Sequence, residues 1–341
     1  MNLFPLIRPL LFGMDAETAH QTTFAALDRL EHLGLLKLLI EFPPSAPLDF
    51  CGLHLPNPVG LAAGLDKDGK HIDTLARLGF GFLEIGTVTP LPQPGNPKPR
   101  LFRLEKTQGI INRMGFNNDG VDACVARVKA SKFYQSGGII GLNIGKNAIT
   151  PIENAVDDYL IGLRKVYSVA SYVTINISSP NTKNLRQLQD GNELEKLLSS
   201  LSIEREILTQ QFGKKIPMFL KIAPDLLTEQ IKEISELVQK YSFDAIIATN
   251  TTLSRVGVES EPNGQETGGL SGSPVKKLST HILATFAHEL QGKIPLIGVG
   301  GILSAQDAKD KLSAGANLVQ IYSGLIYKGP KLISECIKAL K

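Results

Sequence analysis

Cysteine is scarce in this 341-residue chain: Cys51, Cys124 and Cys336 stand far apart, without paired spacing. That argues against a disulfide framework and against a cysteine-based zinc site, and it fits a reducing compartment. The six histidines form no HExxH or comparable cluster, so no protein-ligated metal is expected. An excess of charge of one sign is also missing. With 36 basic and 33 acidic residues the net charge is +3, and no Lys/Arg-rich block or low-complexity tract occurs, so nucleic acid is not an expected partner. No uninterrupted apolar run reaches the roughly 20 residues that span a bilayer. Residues 3–12 are strongly apolar, but Pro5, Arg8 and Pro9 interrupt them and no small-residue cleavage site follows, so a secretory signal is not expected either.

What is present is the composition of a globular protein with a sizeable core: 43% hydrophobic and 20% charged residues. The length suits one large α/β barrel with an appendage. Residues 1–45 read as that appendage and 46–341 as the barrel domain. Asp15 reads as an N-cap, and a helix is expected through Ala19, Phe24, Leu27 and Leu30. A second apolar cluster runs from Leu33 to Ile40, and Pro43, Pro44 and Pro47 read as a linker. Two short amphipathic helices this rich in Leu and Phe could lie in a membrane interface or cover one end of the following domain.

From about Pro58 one unit recurs: a short apolar β-branched run, a polar or glycine-rich turn, then a helical pattern. The runs are 59–63, 82–88, 139–144, 172–177, 218–222, 245–249, 295–299 and 318–322. Near-continuous apolar strands alternating with helices imply parallel strands covered by helices, and eight of them a closed (β/α)8 barrel. A doubly wound open sheet is the alternative, but no GxGxxG follows the first strand.

Barrel active sites lie at the C-terminal strand ends. Here those ends carry Ala62 to Lys67, Gly86 and Thr87, Asn143, Asn176 to Thr182, Lys221, Thr249 to Thr251, Gly298 to Gly301, and Tyr322 to Gly324. The segment Asn-Ile-Ser-Ser-Pro-Asn-Thr at 176–182 alone could be an ordinary polar turn. Lysine and asparagine in apolar strands are costly unless satisfied, and polar groups at the same end of every strand fit one large polar ligand. Gly300-Gly301 and Ser323-Gly324 each lead toward a helix, in the two loops where barrels commonly hold phosphate.

The motifs GLAAGLDK at 60–67, NRMGFNN at 112–118, NISSPNT at 176–182, KIAPD at 221–225, ATNTT at 248–252, GGLSG at 268–272 and GVGG at 298–301 resemble those of the dihydroorotate dehydrogenase family, in its order and over nearly the whole chain. Ser179 and the N-terminal extension resemble its membrane-associated, quinone-reducing class; soluble relatives use a cysteine base and lack the extension. The resemblance implies FMN, oxidation of dihydroorotate to orotate in pyrimidine synthesis, and a peripheral place on the cytoplasmic side of the cell inner membrane. It implies FMN contacts from Ala62, Ala63, Gly64, Leu65, Asp66, Thr87, Asn143, Asn176, Lys221, Thr249, Gly272, Gly301, Tyr322 and Ser323. Substrate contacts are implied for Lys67, Asn112, Arg113, Met114, Gly115, Phe116, Asn176, Asn181, Asn250 and Thr251, with Ser179 as general base. His20 and Arg103 are implied to line a quinone route, although Arg103 could equally be a surface residue. No departure from the family pattern occurs at these positions.

A free serine hydroxyl is a poor base and needs help from position and hydrogen bonding. No histidine obviously supplies it, and His71 reads as a helix surface residue, so Thr182 and a water are expected to connect Ser179 to solvent with Phe116 as a shield. The competing enzyme reading is a barrel lyase forming a Schiff base at Lys221. Nothing in the sequence demands assembly, and a monomer is expected.

Overall fold

The computed structural model describes residues 4–40 and 45–341. Thirteen strands are placed in three sheets: β1 (Leu48–Phe50), β2 (Leu53–Leu55), β3 (Val59–Leu61), β4 (Phe82–Val88), β5 (Leu101–Leu104), β6 (Gly109–Asn112), β7 (Ile140–Ile144), β8 (Tyr172–Asn176), β9 (Met218–Ile222), β10 (Ala245–Ala248), β11 (Gly269–Gly272), β12 (Leu296–Val299) and β13 (Leu318–Ile321). Strands β3, β4, β7, β8, β9, β10, β12 and β13 close into a parallel barrel in chain order, with β13 pairing back onto β3. This is the (β/α)8 barrel read from the eight apolar runs, with strand ends moved by one or two residues.

The period-2 alternation of each strand divides the core. Leu83 and Ile85, Val173 and Ile175, and Leu220 and Ile222 face outward into the layer beneath the helices. Phe82, Tyr172, Phe219, Ile247, Ile297 and Leu318 pack inside, where Phe50 and Leu55 of the β1–β2 hairpin plug the barrel floor. Two glycines make room for this plug. A Cβ on Gly60 would lie 2.2 Å from the Phe82 ring, and one on Gly141 2.0 Å from that of Tyr172. The surrounding helices are amphipathic; Thr228–Lys240 buries Ile231, Ile234, Leu237 and Val238, the spacing of one helical face.

The N-terminal appendage is helical: α1 (Phe4–Phe12), α2 (Ala16–His32) and α3 (Leu36–Leu39). Asp15 caps α2 as expected, its carboxylate accepting the Thr18 N–H at 2.9 Å. The prolines do not prevent α1. Pro5 falls in the first turn, where its missing N–H has no helical partner, and Pro9 forfeits one bond in the last half. Tertiary ties offset that loss: Phe12 packs edge-on to Tyr327, and Arg8 donates to the Tyr327 carbonyl. Of the expected linker prolines, Pro43 and Pro44 lie outside the described residues. A small antiparallel sheet, β5–β6–β11, was not legible in the sequence and stands beside the barrel mouth.

Candidate active site

A cleft of about 1000 Å³ opens at the C-terminal ends of the barrel strands. Ala62, Ala63, Gly64, Lys67, Thr87, Asn176, Ser179, Asn181, Lys221, Thr249, Asn250 and Thr251 line it from the barrel. Asn112, Met114, Gly115 and Phe116 enter from the end of β6 and the segment after it, and Gly272, Gly301, Tyr322 and Ser323 complete the lining. The strand-end residues therefore converge on one space. Four expected site residues stand off its wall. Leu65 turns toward an apolar cavity, and the Asp66 carboxylate accepts the backbone N–H groups of Lys70 and His71 at 3.0 and 2.7 Å. Asn143 sits inside the barrel, bonded to Thr87 and Glu84, and Arg113 pairs with Glu266 at 2.6 Å.

Ser179 is buried, and its Oγ accepts the Asn181 N–H at 3.2 Å. The loop that carries it is clamped by Arg186, which donates to the carbonyls of Ser178 (3.1 Å) and Thr251 (2.8 Å) and to Asp225 (2.7 Å). Three strand-end loops are thereby locked in register by one planar guanidinium. Thr182 Oγ1 is buried without a hydrogen-bond partner among the described residues, an open donor and acceptor on the same loop. Asn176 is held from behind, its carbonyl accepting the Tyr159 hydroxyl at 2.6 Å.

Lys67 makes no hydrogen bond or ion pair within the described residues. Desolvation, followed by the nearby charge of Arg100, lowers its pKa to about 8. An ammonium so placed suits an incoming anion. Binding a carboxylate there requires the protonated amine, so the affinity for a carboxylate held by Lys67 is expected to be full below pH 8. Above that it falls by about tenfold per pH unit until the amine of the complex titrates. Orotate titrations of the wild type and Lys67→Gln between pH 6 and 10 check this; the variant should bind weakly with no such slope.

The donor set also fits a phosphate-bearing planar cofactor. Gly301, in the cleft wall, adopts φ +76° and is packed directly by Lys276, where a Cβ would lie 2.4 Å from that of the lysine, so only glycine fits this turn. Two residues of the cleft wall, Thr251 and Gln320, each have a side-chain oxygen buried without a partner among the described residues. Inside the barrel Lys221 Nζ lies 3.7 Å from Glu84, and both side chains are buried.

A second cavity, of about 1390 Å³, lies between the N-terminal helices and the barrel. Ile7, Leu11, Phe12, Ala19, Phe24, Leu27 and Leu30 line it from α1 and α2, with Leu65, Leu78, Leu101, Ile110 and Ile326 opposite. His20 and Arg103 are both in its wall. Arg103 is not a surface residue: it donates to the carbonyls of Leu11 and Met14 and lies over the Phe12 ring. Burial, reinforced by Lys67, pushes the His20 pKa down to about 4, so this imidazole is neutral at physiological pH. His71 is likewise not a free surface group. It stacks on Phe24 at 4.2 Å and bonds Asp28 at 2.7 Å, fastening α2 to the barrel. Tyr322 belongs to the walls of both cavities, the polar one and the apolar one.

A family model described as dihydroorotate dehydrogenase matches residues 46–341. A protein from Polynucleobacter asymbioticus named dihydroorotate dehydrogenase (quinone) is 58% identical over 341 residues, covering 100% of this chain and 99% of its own. The chain belongs to the dihydroorotate dehydrogenase family. A relative of the same name from Chromobacterium violaceum is 60% identical over 337 residues, 99% of this chain and 97% of that protein. A crystal structure of Eimeria tenella DHODH in complex with ferulenol superposes with a TM-score of 0.86 at 36% identity, covering 95% of this chain and 90% of that one. The resemblance read from seven short motifs thus extends over the whole length. Sequence reasoning missed Glu84, Arg100, Arg186 and Gln320. Arg100 holds Glu17 of α2 by two bonds, at 2.8 and 3.1 Å. Glu84 and Gln320 could have been found as polar residues in the middle of apolar strands rather than at their ends.

Proposed function

We propose that this protein oxidises dihydroorotate to orotate in pyrimidine synthesis, with FMN as hydride acceptor and a membrane quinone as final electron acceptor. The observation that carries this reading is the shared wall at Tyr322, which puts a polar cleft and an apolar cavity on two sides of one side chain. A polar substrate and an apolar electron acceptor can then use separate entrances. FMN, when bound, supplies the hydride acceptor and hands the electrons on.

The chain's own residues do the rest. The backbone around Gly272, Gly301 and Ser323 holds the phosphate, with Ala62, Ala63, Gly64, Thr87 and Thr249 against the ring system. Lys221 supplies positive charge in a desolvated setting, where preorganised charge is most effective. Lys67 holds the substrate carboxylate. Asn112, Asn181 and Asn250 bring amide donors and acceptors to a ring of alternating N–H and C=O groups, and Asn176 keeps one N–H for it. Ser179 takes the proton from one ring carbon as hydride leaves the next, Thr182 passes that proton outward, and Phe116 excludes bulk water.

Residues 1–45 form the quinone-access segment and 46–341 the catalytic domain. Among the described residues no helix is long and apolar enough to cross a membrane. Leu6, Leu10, Leu33 and Leu38 are each at least 69% exposed, an apolar face suited to peripheral seating on the cytoplasmic side of the inner membrane. The enzyme acts as a monomer.

The purified protein should be yellow, bleach anaerobically on addition of dihydroorotate, and recover its colour with a short-chain quinone. A colourless protein, or borohydride trapping at Lys221, would overturn the proposal in favour of the Schiff-base alternative.

A further inference from the structure

Glu84 lies in the middle of β4, fully buried, inside the barrel and below the cleft. Four donors from four other strands converge on its carboxylate. Asn143 Nδ2 donates to Oε1 at 2.7 Å, and Lys221 Nζ stands 3.7 Å from the same oxygen. Gln320 Nε2 and the Tyr172 hydroxyl donate to Oε2 at 2.8 and 3.3 Å. A buried carboxylate is costly unless paired and hydrogen-bonded, and this one has both kinds of partner.

An ionised carboxylate only accepts. With its amide nitrogen committed to Glu84, Asn143 must turn its carbonyl oxygen to the Thr87 hydroxyl, 2.5 Å away. Thr87 has then spent its proton, and its oxygen accepts Asn176 Nδ2 at 2.8 Å. Asn176 in turn presents its carbonyl oxygen upward, where it accepts the N–H and Oγ–H of Ser178 at 3.2 and 2.9 Å. One charge at the root thus sets the donor direction of three successive groups, ending at a residue of the cleft wall beside Ser179. A neutral amide at position 84 could donate or accept, and the relay could then run either way.

We infer that Glu84 is a positioning residue, whose charge fixes the polarity of the Asn143–Thr87–Asn176 relay and offsets Lys221 beneath the cofactor. The inference rests on the proposed placement of FMN and substrate. It predicts two separable effects of Glu84→Gln in the FMN-loaded holoenzyme. Orotate, followed by its perturbation of the flavin spectrum, binds at least tenfold more weakly because Asn176 no longer has a fixed face. The flavin midpoint potential rises, because the Lys221 charge is less offset; a tenfold shift in the two-electron equilibrium is about 30 mV. Glu84→Asp, which keeps the charge, restores the potential. Thr87→Val cuts the relay while the Glu84–Lys221 pair stays in place, so it weakens orotate binding with the charge pair kept.

Wild-type orotate affinity in Glu84→Gln overturns the inference, as does an unchanged potential. Should that variant not fold, Thr87→Val decides: weakened orotate binding supports the relay and wild-type binding refutes it. If the wild type carries no flavin or ignores dihydroorotate, the proposed function fails as well. If the wild type bleaches while these variants behave like it, the inference alone falls.

Discussion

Ser179→Ala should slow anaerobic flavin reduction by dihydroorotate about 10²–10⁴-fold, the span that a positioned general base contributes. The substitution removes one oxygen from a buried loop position, and Arg186 independently holds the preceding carbonyl, that of Ser178. FMN content and orotate affinity should therefore stay near wild type, so that the loss lies in the chemical step. Reoxidation of the reduced enzyme by quinone should also persist, because the apolar cavity lies across Tyr322 from the loop. Thr182→Ala should slow the same step less, by interrupting the proton's exit at a hydroxyl that has no hydrogen-bond partner among the described residues. Stopped-flow spectroscopy separates the two half-reactions, and wild-type reduction rates in both variants would remove Ser179 and Thr182 from the mechanism.

Much of this site was legible because parallel barrel strands, buried on both faces, appear as short continuous apolar runs. Asn176, Lys221 and Thr249 stand out at the ends of such runs, and the fold collects those ends in one cleft. What was hidden depends on sequence-distant pairing. An acid in the middle of an apolar strand is visible locally, but Glu84 meets Asn143, Gln320 and Lys221 only when the barrel closes, so its partners are not. Short strands were hidden for a different reason. β5, β6 and β11 have four residues each, and the β6–β11 pairing joins segments separated by four of the eight barrel strands. The prolines of α1 spoke only against a secretory signal, and the contacts with Tyr327 that stabilise the helix have no local sequence pattern. For Arg103 the sequence left a quinone-side and a surface position both open, because its acceptors, the carbonyls of Leu11 and Met14, belong to the appendage.

Removing residues 1–45 should abolish quinone reduction while leaving dihydroorotate able to bleach the flavin. The appendage supplies one whole wall of the apolar cavity, and a quinone held there loses the burial of several methylenes. At about 0.8 kcal/mol for each CH₂, three or four lost contacts lower affinity about a hundredfold. The barrel keeps its own core and strand closure without α1 to α3, although Phe24 leaves the main cluster and Leu65, Leu78 and Leu101 become bare. Detergent is therefore needed, and a second variant avoids the deletion altogether. Thr23→Trp fills the cavity from α2 with the appendage in place. It should raise the quinone KM and leave the dihydroorotate half-reaction unchanged. Co-sedimentation with anionic vesicles should be lost in the truncated protein and kept in Thr23→Trp, since the exposed face of Leu6, Leu10, Leu33 and Leu38 is untouched there. Undiminished quinone turnover in both proteins would mean that electrons leave the flavin by another route.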